Sequence, residues 1–259
     1  MGGRTPTAAN LDPRAVAFYR HAIEALREAS VPFLVGGAYA LEAHAGISGR
    51  TKDLDLFLRP SDVERALRAL AQSGYRTELT YPTWLAKAYM GDDFVDLIFS
   101  SGNGLGLVDD DWFANPRRIG VLGYKLPLVP IEEIIWQKAF IMERHRYDGA
   151  DVLHLMRAAD GHLDADRLLD RFGMHWRVLL AHVILFDYVY PAERDLLPDR
   201  LRAELLRRAK EETDAQVAVA GTNGGGAKLC WGTFLSSYEY VVDIEQFGMA
   251  DARQSLRKD

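Results

Sequence analysis

Phe33-Leu34-Val35-Gly36-Gly37-Ala38-Tyr39-Ala40-Leu41, followed by Arg50-Thr51-Lys52-Asp53-Leu54-Asp55-Leu56-Phe57-Leu58, decides how this chain is read. The first run is a short apolar strand, a glycine turn and the start of a helix of small and apolar residues. The second alternates at period two, the pattern of a half-buried strand. On such a strand Asp53, Asp55 and Phe57 share one face, and Leu54, Leu56 and Leu58 take the other. Two ionised carboxylates two residues apart on one face repel each other, and a core does not keep such charges unpaired. A divalent cation held by oxygen ligands resolves the conflict, and Mg²⁺ is the usual choice where phosphates complete its shell. Gly36 and Gly37 supply the complementary half. Without side chains they let a phosphate approach the backbone at a helix start, where free N–H groups point outward. Turn and aspartate pair together read as a cradle for a triphosphate and its metal.

Gly-Gly, a short helix and then Asp-hydrophobic-Asp-hydrophobic resembles the signature of the nucleotidyltransferase fold, the polymerase-β-like superfamily. The likeness is to its minimal bacterial members, including the AbiEii/MenT-type toxins, and most of it lies between Val35 and Leu58. The resemblance implies that Asp53 and Asp55 hold two Mg²⁺ ions, that Gly36 and Gly37 hold the nucleotide phosphates, and that a third carboxylate on a later strand completes the site. Asp96, inside Phe94-Val95-Asp96-Leu97-Ile98-Phe99, answers to that third position. An aspartate within an apolar strand is disfavoured by propensity and penalised by burial, and this one shares a face with Phe94 and Ile98. By resemblance Asp96 is both a metal ligand and the general base on the acceptor hydroxyl. Arg50 and Thr51 lead directly into the aspartate strand, where Arg50 meets either a phosphate or an aspartate.

The resemblance extends to a lysine on the first helix after the sheet domain, an arginine-rich turn and an Asp-x-x-Asp pair. Here these are Lys138, then Arg144 and Arg146, then Asp148 and Asp151; position 147 is Tyr where a basic residue is common. Lys138 sits in an apolar stripe formed by Ile131, Ile134, Ile135, Ile141 and Met142. Either its stem is buried with the ammonium in water, or the amine reaches the triphosphate and steadies the leaving pyrophosphate. Asp148 and Asp151 either join the nucleotide site or serve as N-cap and third residue of the next helix.

Composition narrows the partners. The 259 residues carry 31 Lys and Arg against 37 Asp and Glu, a formal net charge of −6. A protein that grips long nucleic acid usually shows a basic surplus, so this balance favours a small acceptor, although Arg200 to Lys210 is locally basic. One cysteine, Cys230, cannot form an internal disulfide or a cysteine metal cluster. No apolar run is long enough to span a membrane, and the first residues lack the apolar core of a secretory signal, so the expected location is cytoplasmic.

Along the chain, Asp12-Pro13 opens a helix to about Ala29. Ser61-Asp62-Val63-Glu64 reads as a capping box for a helix ending at Ser73 and Gly74. Strands are expected over 75–79, 84–90 and 94–100, with Asp92 and Asp93 in a turn. His44 reads as a plain helix residue. A long loop follows over 101–118, in which Asp109 to Asp111 is a solvated charge run. Two short strands flank Gly123. From Ile131 the pattern is helical, over 151–159, 164–172, 176–188 and 198–213, the third apolar on most sides and so expected at a buried centre. Gly221 to Lys228 is a glycine-rich linker that lacks the Gly-Lys-Ser/Thr of a Walker motif.

The whole is an α/β (α+β) chain: a mixed-sheet catalytic domain over 1–129 and a mainly helical domain over 130–259, with the active cleft between them. The expected reaction moves a nucleoside monophosphate from a nucleoside triphosphate such as ATP to an acceptor hydroxyl, releasing pyrophosphate. The acceptor is a transfer-RNA 3′ end, with an antitoxin partner for a toxin, or else a small molecule or protein side chain. A nucleotide-binding regulatory protein without turnover is the remaining alternative.

Overall fold

The computed structural model describes residues 12–47, 53–114, 116–219, 228–231 and 240–252. The chain divides into two units, Met1–Ile134 and Ile135–Asp259, and each has its own core. Arg50 and Thr51 lie outside the described residues, as does most of the 221–228 linker.

In the first unit, Asp12 accepts a hydrogen bond from Arg14 N–H at 2.8 Å and Pro13 opens α1 (Pro13–Glu28). Strand β1 (Leu34–Val35) runs into α2 (Gly37–Ala45), then β2 (Leu54–Phe57), α3 (Val63–Gln72), β3 (Arg76–Tyr81), β4 (Leu85–Met90) and β5 (Asp93–Ile98). These strands make one mixed sheet in the order β1-β2-β5-β4-β3. Its only parallel pair is β2 with β5; β1 with β2, β5 with β4 and β4 with β3 are antiparallel. Strands β6 (Arg118–Val121) and β7 (Tyr124–Pro127) form a separate hairpin.

Alternation sorts the sheet into two unlike faces. Leu54, Leu56, Ala86, Ala88, Val95 and Leu97 are all fully buried on the face that packs against α1 and α3. From α1 that core receives Phe18, Ile23 and Leu26, and from α3 Ala66 and Leu70, all buried. Burying such side chains stabilises by roughly 1.5–3 kcal/mol each. The opposite face carries Asp53, Asp55, Lys87 and Asp96, each only partly covered.

Three local expectations differ. Ser61 to Glu64 is not a capping box: Pro60–Asp62 is a turn of 3₁₀ helix, and Asp62 gives α3 no side-chain cap. Asp62 is instead ion-paired with Arg59 and Arg65, which compete better for its carboxylate than a backbone N–H. Asp93 belongs to β5 rather than to the turn before it. The 101–118 loop is pinned by a 3₁₀ turn, Asp110–Phe113, whose Trp112 is fully buried and stacks on Phe57 at 5.6 Å.

The second unit is mainly helical. Helix α4 (Ile131–Ala139) leads into it and ends before Ile141 and Met142, so the apolar stripe read across them is shorter than expected. Helices α5 (Gly149–Ala158), α6 (Ala165–Phe172), α7 (Trp176–Val189) and α8 (Asp199–Val219) follow, then a parallel pair, β8 (Leu229–Cys230) with β9 (Ala250–Asp251), with α9 (Val241–Glu245) between. Helix α7 is buried along one side only, through Leu179, His182, Val183 and Phe186. Ile184 and Tyr188 are 56% and 82% exposed, so the helix does not lie at a buried centre as expected. Among the described residues no helix is long and apolar enough to cross a membrane.

Leu56→Ala removes a fully buried side chain at the centre of the sheet core. It is expected to lower stability by about 2–5 kcal/mol in urea denaturation, whereas Leu79→Ala, 47% exposed, should cost less than about 0.5 kcal/mol.

Candidate active site

The sheet register sets two of the three aspartates of interest side by side. Asp55 is the direct partner of Asp96 across the parallel β2–β5 ladder, and Asp96 is the direct partner of Lys87 across β5–β4. Lys87 in turn faces Glu78 of β3. One row of the open face therefore reads Asp55, Asp96, Lys87, Glu78 across four strands. Asp53 lies one step along β2 on the same face.

Like charges directly opposite each other on a sheet are destabilising. Lys87 answers part of that cost: its Nζ lies 2.7 Å from Asp96 Oδ1, both side chains being largely covered. The contact is ionic without hydrogen-bond alignment, since Oδ1 is buried with no directed partner. Burial pushes the Asp96 carboxyl up from the usual carboxylate range, Lys87 pulls it back, and Asp53 adds to the rise. The Lys87 ammonium also lies 3.9 Å from the centre of the Phe94 ring, a cation–π contact on the same face.

The glycine turn is shaped by the same strand. Gly36 N–H donates to the Asp55 carbonyl at 3.0 Å. A Cβ on Gly36 would lie 2.1 Å from the Phe57 ring, and a Cβ on Gly37 would lie 1.7 Å from Asp55 Oδ2. Gly37 also has φ +55°, a left-handed conformation that favours glycine. The missing side chains thus make room first for this chain's own Phe57 and Asp55. The N-terminus of α2 stands beside the Asp55 carboxylate, where its partial positive charge favours anions.

Two phenols close the neighbourhood. Tyr19 of α1 is fully buried; burial pushes its hydroxyl up, with Asp93, Asp53, Tyr39 and Asp55 adding to the rise. Tyr39 is pushed up to about 12 by burial and then by Glu42, and its hydroxyl is buried without a hydrogen-bond partner. Both phenols are neutral near carboxylates. The sequence singled out neither Tyr19 nor Lys87. Pairing the strands outward from the Gly91-Asp92 turn was the signal for Lys87, because Met90 opposite Asp93 sets Lys87 opposite Asp96. His44 is structural: its Nε2 donates to the Val129 carbonyl at 2.9 Å.

Lys138, Asp148 and Asp151 meet one another within the second unit. Lys138 Nζ donates to Asp148 Oδ2 and to Asp151 Oδ2, each at 2.7 Å. Arg146 grips Asp148 with two hydrogen bonds of 3.0 Å. Asp148 stands at the N-cap position of α5 but makes no capping bond, because both oxygens face these cations. Burial raises its carboxyl, but the hydrogen bonds from Arg146 and Lys138 outweigh it and hold the group below its usual value.

All donors in the Asp53, Asp55 and Asp96 set are oxygens, the ligand type that suits a hard cation such as Mg²⁺. The buried, undirected Oδ1 of Asp96 fits that use. Among the described residues, no three His, Cys, Asp or Glu side chains converge on one point as they stand.

No protein-family model and no curated protein matches the chain. Among solved structures it is similar to the antibiotic-resistance factor ANT(2'')-Ia in solution, at 17% identity and TM-score 0.46, covering 66% of this chain and 97% of the other. It is also similar to ANT(2'')-Ia in complex with adenylyl-2''-tobramycin, at 16% identity and TM-score 0.45, covering 63% and 98%. A third likeness is to the lincomycin-bound lincosamide antibiotic adenylyltransferase LnuA, at 15% identity and TM-score 0.39, covering 56% and 97%. Likeness at this level assigns this chain no activity.

Gly37→Ala combines an unfavourable φ with a clash against Asp55 and is expected to cost about 1–3 kcal/mol in thermal or urea unfolding. Asp148→Asn breaks a covered ion-pair cluster and should cost roughly 3 kcal/mol at pH 7. Because the folded carboxyl is held below the 3.8 of an ordinary aspartate, the folded state releases its proton more readily than the unfolded chain. Its stabilisation is thus complete above about pH 5 and fades as pH falls through the lowered value. The melting-temperature gap between wild type and Asp148→Asn should narrow below about pH 4.

Proposed function

We propose that this chain transfers a nucleoside monophosphate from a nucleoside triphosphate to the hydroxyl of a small-molecule acceptor, in a Mg²⁺-dependent reaction that releases pyrophosphate. One observation carries the reading: Asp55 faces Asp96 on parallel strands, beside a helix start whose Gly37 has no room for a side chain. A fold selected only for stability would not set two carboxylates opposite each other. When bound to Asp53, Asp55 and Asp96, Mg²⁺ supplies charge neutralisation at the attacking and leaving oxygens.

The chain's own groups do the rest. Asp96, whose carboxyl is raised by burial, takes the proton of the acceptor hydroxyl. The freed oxygen attacks the α-phosphorus, and the bond from that phosphorus to the pyrophosphate oxygen breaks in line. The start of α2, whose partial positive charge favours anions, is the seat for phosphate oxygens beside Asp55. Arg50 and Thr51, just ahead of Asp53, are given to the triphosphate on sequence grounds alone. Lys138 is engaged by Asp148 and Asp151 and is assigned no step.

The acceptor follows from charge. The net charge is −6, and the locally basic stretch from Arg200 is neutralised within its own unit. Arg200 pairs with Asp166, Arg202 with Asp187, Arg207 with Glu204 and Glu211, and Arg208 with Glu204. Such arginines are poorly placed to release counterions from a nucleic acid, which is the main source of affinity for it. A small hydroxylated acceptor suits this balance better than a transfer-RNA 3′ end, and with it the toxin-like reading with an antitoxin partner loses support.

Incubation with Mg²⁺ and each α-labelled nucleoside triphosphate, with a metabolite extract in one arm and total RNA in the other, tests the reading. Label is expected in small molecules, and Asp55→Asn should lower its transfer by at least about 100-fold. Label on RNA would overturn the choice of acceptor, and undiminished transfer by Asp55→Asn would overturn the site.

A further inference from the structure

Lys87 occupies a position that the chemistry above does not use. It sits directly opposite Asp96 in the β4–β5 ladder, its ammonium 2.7 Å from Asp96 Oδ1 and 3.9 Å from the centre of the Phe94 ring. Both charged side chains are largely covered, so this is not a solvated surface pair. Asp96 Oδ1 has no directed hydrogen bond to replace the ammonium. The nearest cation to the third carboxylate is thus a side chain that the sheet itself holds in place.

We propose that Lys87 is a built-in counter-cation of the site, which occupies Asp96 until a divalent ion enters and displaces the ammonium. This rests on the nucleotidyl-transfer reading, because it takes Asp96 as an oxygen ligand. The physical reason is direct. A divalent ion and an ammonium cannot share one buried carboxylate oxygen without repelling each other. Asp55 and Asp96 face each other, and Lys87 is placed to offset the charge on Asp96 in the ion-free sheet. An entering ion then bears the cost of moving the ammonium. The Phe94 ring already holds the ammonium at 3.9 Å, so this contact steadies Lys87 beside Asp96 in the ion-free sheet. Lys87 is accordingly a positioning residue that sets how readily the site loads.

The test is direct titration of Mn²⁺ by electron paramagnetic resonance at pH 8 without nucleotide, on the full chain. Wild type, Lys87→Met, Lys87→Arg and Asp55→Asn are compared, with matched circular dichroism spectra to establish folding. Lys87→Met is expected to bind Mn²⁺ about tenfold more tightly than wild type, and Lys87→Arg, which keeps the charge, to match wild type. Melting with Mg²⁺ gives a second readout: the rise in Tm should be larger for Lys87→Met than for wild type. If Asp55→Asn loses Mn²⁺ while Lys87→Met binds no more tightly than wild type, the counter-cation role is wrong and the site reading stands. If Asp55→Asn binds Mn²⁺ as wild type does, the site reading falls and the inference falls with it.

Discussion

Two carboxylates held opposite each other on adjacent parallel strands are the constraint around which the first unit is arranged. The β2–β5 register sets Asp55 against Asp96, and nothing in backbone hydrogen bonding relieves their repulsion. The rest of that face is organised to tolerate it. Lys87 stands on the far side of Asp96, and the start of α2 stands beside Asp55. The apolar face behind them, with Leu54, Leu56, Val95 and Leu97 fully buried, supplies the burial that keeps the strands paired. Charge and apolar burial are thus separated by strand alternation, with odd and even positions of one strand on different faces.

The glycine turn illustrates how tightly that arrangement is built. Gly36 yields its side-chain space to Phe57, and Phe57 stacks on Trp112 from the 101–118 loop. Gly37 yields its space to Asp55. A loop that looks independent in sequence therefore reaches the turn through two aromatic rings. Residues that frame the carboxylates come from α1, α2 and three strands, so the site depends on the packing of the whole first unit.

Much of this was legible in the sequence because period-two alternation is local and strong. The face shared by Asp53, Asp55 and Phe57 follows from spacing alone, and the Asp12-Pro13 start of α1 follows from capping chemistry. What the sequence hid was decided by partners distant in the chain. Ser61 to Glu64 has the letters of a capping box, but Arg59 and Arg65 claim Asp62. Helix α7 has apolar residues on most sides, yet neighbours cover only one of them. Tyr19 matches a core stripe, and only the fold shows its hydroxyl near carboxylates. For Asp148 and Asp151 both readings were local, and the ion pairs to Lys138 and Arg146, which keep Asp148 from capping α5, depend on residues that spacing alone does not pair.

The tight β4–β5 turn acts as a length gauge for the site. Gly91, with φ +62°, and Asp92 join strands whose pairing begins at Met90 and Asp93. A one-step slip of β4 against β5 would take Lys87 out of the row it shares with Asp96. Every side chain of the site would still be present, and the chain would have lost the match between the two charges. The register that this turn closes is therefore as much a condition of the Lys87–Asp96 pair as either charge, although the turn carries no part of it.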